Sequence, residues 1–401
     1  MRVLALGGAG SMGAVAARTV AAGGVEQIVI ADRDRAAAER VARELADAPV
    51  PVCARRVDVT DGAELRDALH GADLVLNTVG PYFRFGLAVL RAAIDTGTHY
   101  LDICDDWEPT VAMLELDAEA RAAGVTAVIG MGASPGVSNL LAATAVAPLD
   151  SVRDVYTAWP VDATGDVDDS RRQLIGADGS PTAAAVHWMQ QSSGNIKAVR
   201  AGSLTEQRPL RPVALELPGG RRGTAYTVGH PEPLTLHRTL GLTGDSASLM
   251  VVRPSTVAYL DVLRRDIDAG GLTNAAAARR VAEPHILSNL RSLPRALVNK
   301  GPATLPPFFA AAFGERQGRE TAVLAHLDPA AGIDGLLTDM ARATGIPLAL
   351  GMSQVVDGTA RRAGVHPPEA VIDRERFFAD LDRELGRTGS PPLIVVEHEC
   401  R

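Results

Sequence analysis

The sequence predicts a two-domain α/β protein, in which a doubly wound parallel sheet is followed by an α+β domain. A glycine-rich turn separates an apolar run from an alanine-rich stretch at the start of the chain. Strand-like runs then alternate with helical stretches up to about residue 150, where the pattern changes to clustered short strands. We therefore divide the chain into residues 1–150 and 151–330, with C-terminal helices at about 330–401 returning to flank the first domain.

The first apolar run, Val3–Leu6, predicts a buried strand, and a helix is predicted from Ala14 to Ala22. Between them, residues 7–13 read G-G-A-G-S-M-G and contain the pattern G-x-G-x-x-G. Its first glycine permits a sharp turn, its second leaves room for a pyrophosphate, and its third lets the helix pack closely on the sheet. The helix N-terminus then attracts the phosphates. The residues predicted to bind the dinucleotide here are Gly8, Gly10, Ser11, Met12 and Gly13.

A second apolar run, Ile28–Ala31, ends in Asp32, which lies 19 positions beyond Gly13 (32 − 13). A carboxylate at this strand tip accepts hydrogen bonds from the ribose hydroxyls of NAD and repels the 2′-phosphate of NADP. Arg33 can instead stack on the adenine or pair with that phosphate, so the sequence favours NAD and leaves NADP open. On the next strand, Val50–Val59, Asp58 is predicted either to bond the adenine amine or to cap the following helix.

The fourth apolar run begins at Leu74 and breaks into a Gly-Pro turn. Ligands of such sheets bind at the carboxyl ends of the strands, so this turn is predicted to run beneath the nicotinamide. An aromatic and basic segment, residues 82–85, precedes a helix predicted from Leu87 to Thr96. The cofactor contacts predicted from the turn are Asn77, Thr78, Gly80 and Pro81.

Candidate catalytic residues gather around a fifth predicted strand, Thr98–Cys104. Asp102 is the leading candidate for a general base, because a carboxyl shielded from water has a raised pKa; the alternative is that it bonds backbone in the turn or caps the next helix. Tyr82 either donates to the substrate or only lines the pocket. Asp105 and Asp106 either contact a cationic substrate or cap a helix. The residues predicted to contact substrate are Tyr100, Asp106, Ser134 and Asn139, although one of His99 and Tyr100 is expected to lie in the core.

Further along, the pattern predicts one helix over Trp107–Ala123 and a sixth strand at Val125–Ile129. In the second domain it predicts a helix over Thr182–Ser192 and a strand over Lys197–Thr205. The other predicted elements are strands at Val152–Trp159, Val213–Leu217, Thr224–Val228, Ala322–Leu327 and Pro392–His398, and helices at Thr256–Ala269, Asn274–Ala282, Pro284–Leu293, Ile333–Ala343, Ser353–Ala363 and Arg374–Leu385.

Composition narrows the class of protein. The 401 residues carry a net charge of −8, and the arginines occur as scattered pairs, which argues against a nucleic-acid partner. Three cysteines without a C-x-x-C pair suit a reducing compartment, and no apolar run approaches 18 residues. There is no H-E-x-x-H motif and no Cys/His cluster, so no metal is predicted. We expect a cytoplasmic protein without a membrane anchor.

Several segments resemble the saccharopine dehydrogenase family, which includes saccharopine reductases, lysine 6-dehydrogenases and carboxynorspermidine dehydrogenases. The similarity is firm over roughly the first 150 residues and patchier beyond them. One departure matters, because saccharopine reductases have Asp-Pro-Gly where this chain has Ser134-Pro135-Gly136. The matching segments are N-T-V-G-P-Y at 77–82, G-T-H-Y-L-D at 97–102, A-G-V at 123–125, S-P-G-V-S-N at 134–139, G-H-P-E-P-L-T-L at 229–236 and G-V-H-P-P-E at 364–369.

The resemblance implies a Rossmann domain that binds NAD or NADP, and a substrate domain whose sheet mediates homodimerisation. It also implies an NAD(P)-dependent oxidoreductase acting on a CH–NH group of an amino acid, an opine-like conjugate or a polyamine. Two alternatives stay open: a reductase of a carbonyl or alkene built on the same cofactor domain, and a non-catalytic dinucleotide-sensing protein.

Overall fold

The computed structural model describes residues 1–161, 174–175, 179–283, 285–328, 339–387 and 392–400. The chain separates into two compact units. The first contains Met1–Leu140 and Asp339–Ser390, and the second contains Leu141–Thr338 and Pro391–Arg401. In the described part of the chain, no helix combines the length and the apolar character needed to cross a bilayer.

The sheet of the first unit has seven strands: β1 Arg2–Leu6, β2 Gln27–Asp32, β3 Val52–Arg56, β4 Leu74–Asn77, β5 His99–Asp102, β6 Thr126–Val128 and β15 Gly364–His366. They are parallel and lie in the order β15-β6-β5-β4-β1-β2-β3. After β3 the chain crosses to the other side of β1, so the strand order reverses between β1 and β4. Ligands bind outside the carboxyl ends of strands at such a switch point. This sheet confirms the predicted doubly wound fold.

The helices of the first unit follow most of the predicted ones. They are α1 Ser11–Ala21, α2 Arg35–Glu44, α3 Gly62–His70, α4 Tyr82–Thr96, α5 Trp107–Leu114, α6 Asp117–Ala122, α13 Met340–Val356, α14 Pro368–Val371 and α15 Arg374–Glu384, while α7 Val137–Val146 continues the chain from this unit into the next. The C-terminal helices α13 to α15 belong to the first compact unit.

Several predicted boundaries were wrong in this unit. Helix α4 begins at Tyr82 rather than Leu87, because Pro81 takes the N-cap position and the aromatic residues form the first turn. The helix predicted over Trp107–Ala123 is two helices. The C-terminal helix α13 is continuous through Gly345 and Pro347, where a break was predicted; residues 333–338 of that prediction lie outside the described residues. Eleven of the 17 residues of α13 are buried, and this burial outweighs the poor helix propensity of its Gly and Pro residues.

The second unit contains a nine-stranded mixed sheet. Its main path runs β10-β11-β12-β7-β13-β14-β16, and β8 pairs with both β12 and β9. The strands are β7 Ser151–Pro160, β8 Ile196–Arg200, β9 Ser203–Gln207, β10 Pro212–Leu217, β11 Arg221–Val228, β12 Ser246–Val251, β13 Phe309–Arg316, β14 Arg319–Leu327 and β16 Ile394–Cys400. The helices are α8 Ala183–Gln191, α9 Glu232–Leu240, α10 Pro254–Asp268, α11 Asn274–Ala282 and α12 Ile286–Val298. This arrangement confirms the α+β class.

Two strands of this unit, β12 and β13, were not predicted. β13 has the sequence F-A-A-A-F-G-E-R, and its alanines favour a helix locally. Every residue from Phe309 to Gly314 is buried, because β13 lies between β7 and β14 in the middle of the sheet. The strand predicted over Lys197–Thr205 is instead a hairpin, since Ala201 and Gly202 take positive φ values of 47° and 70° at its turn.

Candidate active site

The glycine-rich loop connects β1 to α1, and its glycines allow backbone and side-chain atoms to approach more closely than a Cβ would permit. The residue with positive φ is Gly7, at +76°, so the prediction that Gly8 makes the sharp turn was wrong. A Cβ on Gly8 would lie 2.6 Å from the carbonyl oxygen of Ala5. A Cβ on Gly13 would overlap the carbonyl oxygen of Gly7 and lie 2.6 Å from Oγ1 of Thr78. Gly13 therefore lets α1 pack against two loops at the switch point.

The N-terminus of α1 is accessible to a ligand. Gly10 takes the N-cap position with an extended backbone, and no side chain of the described residues caps the helix there. Gly10 and Ser11 are exposed, and Met12 is partly buried. The first-turn N–H groups and the helix dipole therefore favour an anion at this end, which is the position predicted for the pyrophosphate.

The carboxyl end of β2 lies directly beside this loop, because the N–H groups of Gly7 and Gly8 both donate to the carbonyl oxygen of Ala31, at 2.8 and 3.1 Å. Next in sequence, Asp32 is partly buried, and its Oδ1 accepts the backbone N–H of Asp34 at 3.1 Å. Arg33 is exposed and makes no hydrogen bond or ion pair with the described residues. The structure thus places a carboxylate and a guanidinium side by side at the strand tip predicted to bind the ribose.

Asp58 follows β3 and bonds locally. Its Oδ1 accepts the backbone N–H and the hydroxyl of Thr60, at 3.0 and 2.7 Å, and these two hydrogen bonds lower the pKa of the Asp58 carboxyl. The alternative that Asp58 caps the next helix was wrong, because Asp61 caps α3 by accepting the N–H groups of Ala63 and Glu64. Contact between Asp58 and the adenine stays a prediction.

The loop after β4 is tied to the glycine-rich loop. The Thr78 hydroxyl donates to the carbonyl oxygens of Leu6 and Gly7, at 3.0 and 3.1 Å. The buried Asn77 side chain accepts the N–H of Val79 at 3.1 Å. The turn that follows contains the cis peptide Gly80-Pro81, in which Gly80 is exposed and Pro81 is partly buried. These bonds hold the turn at the carboxyl ends of β1 and β4, where the nicotinamide was predicted.

A buried polar chain connects β4, β5 and the loop after β6. Asn77 Nδ2 donates to the Tyr100 hydroxyl at 3.0 Å, and that hydroxyl donates to Asp102 Oδ2 at 2.7 Å. Asp102 Oδ1 accepts the backbone N–H groups of Gly130 and Cys104, at 2.7 and 3.1 Å. Desolvation raises the pKa of Asp102 to about 6, although these three hydrogen bonds act in the opposite direction.

This chain of hydrogen bonds includes three side chains for which the sequence predicted substrate contact or a catalytic role; those roles stay predictions. Tyr100 and Asp102 have no exposed surface, so neither side chain reaches a ligand in this structure. Tyr82 is 7% exposed, and its hydroxyl donates to the carbonyl oxygen of Asn77 at 2.7 Å. Burial, followed by the charge of Asp102, raises the pKa of Tyr82 well above its usual value. These side chains hold strand ends in place, which is the alternative stated for Asp102.

The remaining acids after β5 differ in exposure. Asp105 is partly buried, whereas Asp106 is 3% exposed and takes the N-cap position of α5. Among the described residues, the Asp106 side chain makes no capping hydrogen bond to that helix, contrary to the alternative role predicted for it. The predicted substrate contact by Asp106 is disfavoured by its burial. Asp105 is therefore the more accessible of the two.

The loop after β6 returns to the same edge of the sheet. Ser134 is partly buried and precedes a cis peptide to Pro135. Asn139 is 1% exposed; its Oδ1 accepts the N–H of Gly136 at 3.0 Å, and its Nδ2 donates to Glu369 Oε2 at 2.9 Å. Both ends of the Asn139 amide hold the loop, and its predicted contact with substrate stays a prediction. Sequence reasoning missed Glu369, although it ends one of the segments that carry the family resemblance.

Helix α13 is a second feature that the sequence did not reveal. It packs on α1 so closely that a Cβ on Gly345 would lie 2.6 Å from the carbonyl oxygen of Met12. It also contacts the loop after β6, where a Cβ on Gly351 would lie 2.6 Å from Cγ of Met131. One C-terminal helix therefore contacts both the end of the site predicted to bind the phosphates and the end predicted to bind the nicotinamide.

Taken together, the parallel sheet, the switch point and the open helix N-terminus define a dinucleotide-binding domain of the Rossmann type. Residues 3–128 match the family model described as the saccharopine dehydrogenase NADP binding domain. Residues 3–128 are thus similar to a nicotinamide dinucleotide-binding domain of the saccharopine dehydrogenase type, which confirms the resemblance predicted from the sequence for this part of the chain. The description of that model indicates NADP, the cofactor that the sequence left as the second choice.

Three individual proteins are also similar to parts or all of this chain. The saccharopine dehydrogenase (L-Glu forming) of Saccharomyces cerevisiae, solved in its apo form, superposes with a TM-score of 0.62 at 17% identity, covering 100% of this chain and 99% of the yeast chain. At that identity the similarity shows the fold alone. Saccharopine dehydrogenase-like oxidoreductases of Rattus norvegicus and Mus musculus are each 43% identical over 49 residues. That stretch spans 12% of this chain and only 11% of each relative.

Proposed function

We propose that the protein is an NAD(P)-dependent oxidoreductase that acts on the CH–NH group of an amino acid, an opine-like conjugate or a polyamine. The observation that carries this proposal is the open N-terminus of α1 beside the glycine-rich loop, in a domain of the saccharopine dehydrogenase type. The acids that follow β5 support the amine substrate, because oxidation of an amine needs a proton acceptor and produces a cationic iminium next to the nicotinamide.

Within this proposal the two acids have different roles. Asp105, which is partly exposed, takes the proton from the substrate ammonium or holds its charge. Asp102 acts as a positioning residue, because it fixes the N–H groups of Gly130 and Cys104 and orients Tyr100. A bound oxidised nicotinamide would accept hydride from the carbon of the CH–NH group once the amine is free of its proton, and Asp105 would pass that proton to solvent.

The cofactor preference depends on Asp32 and Arg33. We propose that Asp32 bonds the ribose hydroxyls when NAD is bound, and that Arg33 pairs with the 2′-phosphate when NADP is bound. Fluorescence titration with NADH and NADPH tests this pair of contacts. Asp32→Ala is expected to weaken NADH more than NADPH, and Arg33→Ala to weaken NADPH at least tenfold while sparing NADH. Equal weakening of both cofactors by each variant would remove both residues from the ribose site.

The decisive experiment for the activity is a screen of the purified full-length protein for amine-dependent formation of NADH and NADPH, across lysine, saccharopine, diamines and opines. We expect one of these amines to be oxidised, and Asp105→Asn to lower kcat at least a hundredfold while the Kd for NADPH stays within twofold. Glu119→Gln, an exposed acid on α6, is the matched control. If Asp105→Asn retains turnover, Asp105 is not the base.

One observation favours a second candidate, a non-catalytic dinucleotide-sensing protein. Tyr82, Asp102 and Asn139 are buried and bonded within the domain, so fewer polar groups reach the expected nicotinamide position than the sequence predicted. A sensor binds NADPH in the titration but yields no turnover in either direction. A carbonyl or alkene reductase instead consumes NADPH without an amine.

We also propose that the second unit is the substrate and dimerisation domain that the resemblance implies. Its mixed nine-stranded sheet supports this assignment. The predicted cytoplasmic location stays a prediction.

A further inference from the structure

Helix α12 of the second unit has its apolar side facing outward. Its residues Ser288 and Ser292 are buried, at 2% and 6% exposure. A helix on the surface of a globular protein normally does the opposite and buries its apolar stripe. Six large apolar side chains of α12 are more than half exposed, and we call them the α12 face: Ile286 at 75%, Leu287 at 63%, Leu290 at 57%, Leu293 at 55%, Leu297 at 89% and Val298 at 80%.

The spacing of the α12 face is that of a helix-pairing seam. Ile286, Leu290, Leu293 and Leu297 are separated by four, three and four residues, as the a and d positions of a heptad repeat are. That spacing keeps side chains on one side of a helix that packs lengthwise against another helix. Leu287 and Val298 each follow a seam residue by one position, about 100° further around the helix, so both widen the seam on the same flank.

The size of the α12 face is that of an interface. Six such side chains present on the order of several hundred Å² of apolar surface, and the largest patch on a typical monomer is about 300–600 Å² and is often functional. A standard interface buries about 800 Å² per partner. The α12 face therefore supplies most of one half of a stable interface without help from neighbouring elements.

The charges around the α12 face favour a protein partner over an anionic membrane. The arginine side chains on this helix are already paired within the chain: Arg291 bonds both oxygens of Asp266 at 2.8 Å, and Arg295 bonds Asp261. Amphipathic helices that bind membranes use unpaired basic residues to attract anionic lipids. Here the two arginines instead fix α12 on α10, which gives the apolar seam a rigid support.

We propose that the α12 face packs against the α12 face of a second copy of this chain, with the two helices antiparallel across a two-fold axis. A seam that is apolar along its length is self-complementary, as an isologous contact requires. In that arrangement Leu290 of one copy lies opposite Leu293 of the other. This contact differs from the sheet-mediated dimer that the family resemblance implies, and the two contacts can coexist.

The first test is the solution mass of the full-length protein, measured by light scattering after size exclusion. The double variant Leu290→Gln/Leu297→Gln is expected to have half the mass of the wild type, whether the wild type is a dimer or a tetramer. Leu204→Gln on β9 removes a leucine that is 48% exposed elsewhere and is expected to leave the mass unchanged. Because Leu290, Leu297 and Leu204 are exposed, we expect each variant to fold and to give the circular dichroism spectrum of the wild type.

The second test examines the direction of the helices. In a background of Cys53→Ser and Cys400→Ser, which removes the exposed native thiols, equal amounts of Leu290→Cys and Leu293→Cys protein are mixed and oxidised. The mixed disulfide is expected to form faster than either symmetric one. A monomeric wild type, an unchanged mass in the double variant, or faster symmetric disulfides would overturn the proposal. Flotation of a monomeric protein with phosphatidylserine-containing vesicles would instead assign the α12 face to a membrane.

Discussion

Replacing Asp102 by Asn is expected to remove a pH dependence of folding stability that the buried carboxyl creates. Desolvation raises its pKa to about 6 from the ordinary value of 3.8. Below pH 3.8 the carboxyl is protonated in the folded and the unfolded chain, and as the pH rises from there to about 6 the unfolded chain loses the proton first. The contribution of this group to stability is therefore full at low pH and lost as the pH rises through the folded pKa.

The size of the effect follows from the shift. A difference of roughly two pKa units corresponds to about 3 kcal/mol, at 1.36 kcal/mol per unit. The Asn side chain keeps the acceptor for Gly130 and Cys104, but its amide nitrogen cannot accept the Tyr100 hydroxyl. That loss costs about 1–3 kcal/mol and does not depend on pH. The difference in the free energy of unfolding, written as Asp102→Asn minus wild type, should therefore rise by about 2.4 kcal/mol from pH 4 to pH 7, because the unfolded carboxyl is already partly ionised at pH 4.

Urea unfolding followed by circular dichroism, at half-unit intervals from pH 4 to pH 7.5, measures this difference. Asp95→Asn is the control, because it removes an exposed carboxylate from α4, and its curve should run parallel to that of the wild type. Parallel curves for Asp102→Asn and wild type would refute the raised pKa. A difference that falls as the pH rises would show that the hydrogen bonds to Asp102 outweigh its desolvation.

Three further predictions concern packing and proton transfer. Gly345→Ala should lower the free energy of unfolding by about 1–3 kcal/mol, because its Cβ would lie 2.6 Å from the Met12 carbonyl oxygen. Gly71→Ala is the control: its nearest neighbour lies at 3.6 Å, so its free energy of unfolding in urea should be nearly unchanged, and equal effects of the two variants would contradict the close contact of α13 with α1. Gly13→Ala should raise the Kd for NADPH at least tenfold in a fluorescence titration, because the glycine-rich loop must shift away from Thr78. An unchanged Kd would argue against a phosphate site at this loop. Tyr82→Phe should lower kcat less than tenfold and leave the dependence of kcat on pH unchanged, because the Tyr82 hydroxyl donates to the Asn77 carbonyl oxygen. If the variant instead loses the decrease in rate on one side of the pH optimum, Tyr82 acts as a proton donor.

The cofactor domain was largely predictable because its signals are local. The glycine-rich loop, the apolar runs that form β1 to β6 and the position of Asp32 depend on residues close together in sequence. The missed elements lacked such signals. β15 has only three residues, and the alanine-rich β13 becomes a strand because its neighbours β7 and β14 supply its hydrogen bonds.

The candidate site was less predictable, because the sequence shows which polar side chains follow a strand but not whether they face solvent. Asp102 and Tyr100 stand two positions apart on β5, and both are buried in the same polar chain. Glu369 reaches Asn139 across 230 residues of sequence. Contacts of that range leave no local pattern, so the division between positioning groups and ligand-facing groups could not be predicted.

The sequence by itself determined the class of the protein, because a glycine turn between a buried strand and a helix is a short-range arrangement that leads to one fold and one kind of ligand. The tertiary structure decided which of the polar residues after the strands hold the strand ends and which stay accessible, since burial depends on packing between distant segments. It also decided the outward direction of the α12 face. The helix period indicates that one side is apolar, but only packing against α10 determines which side the rest of the chain covers.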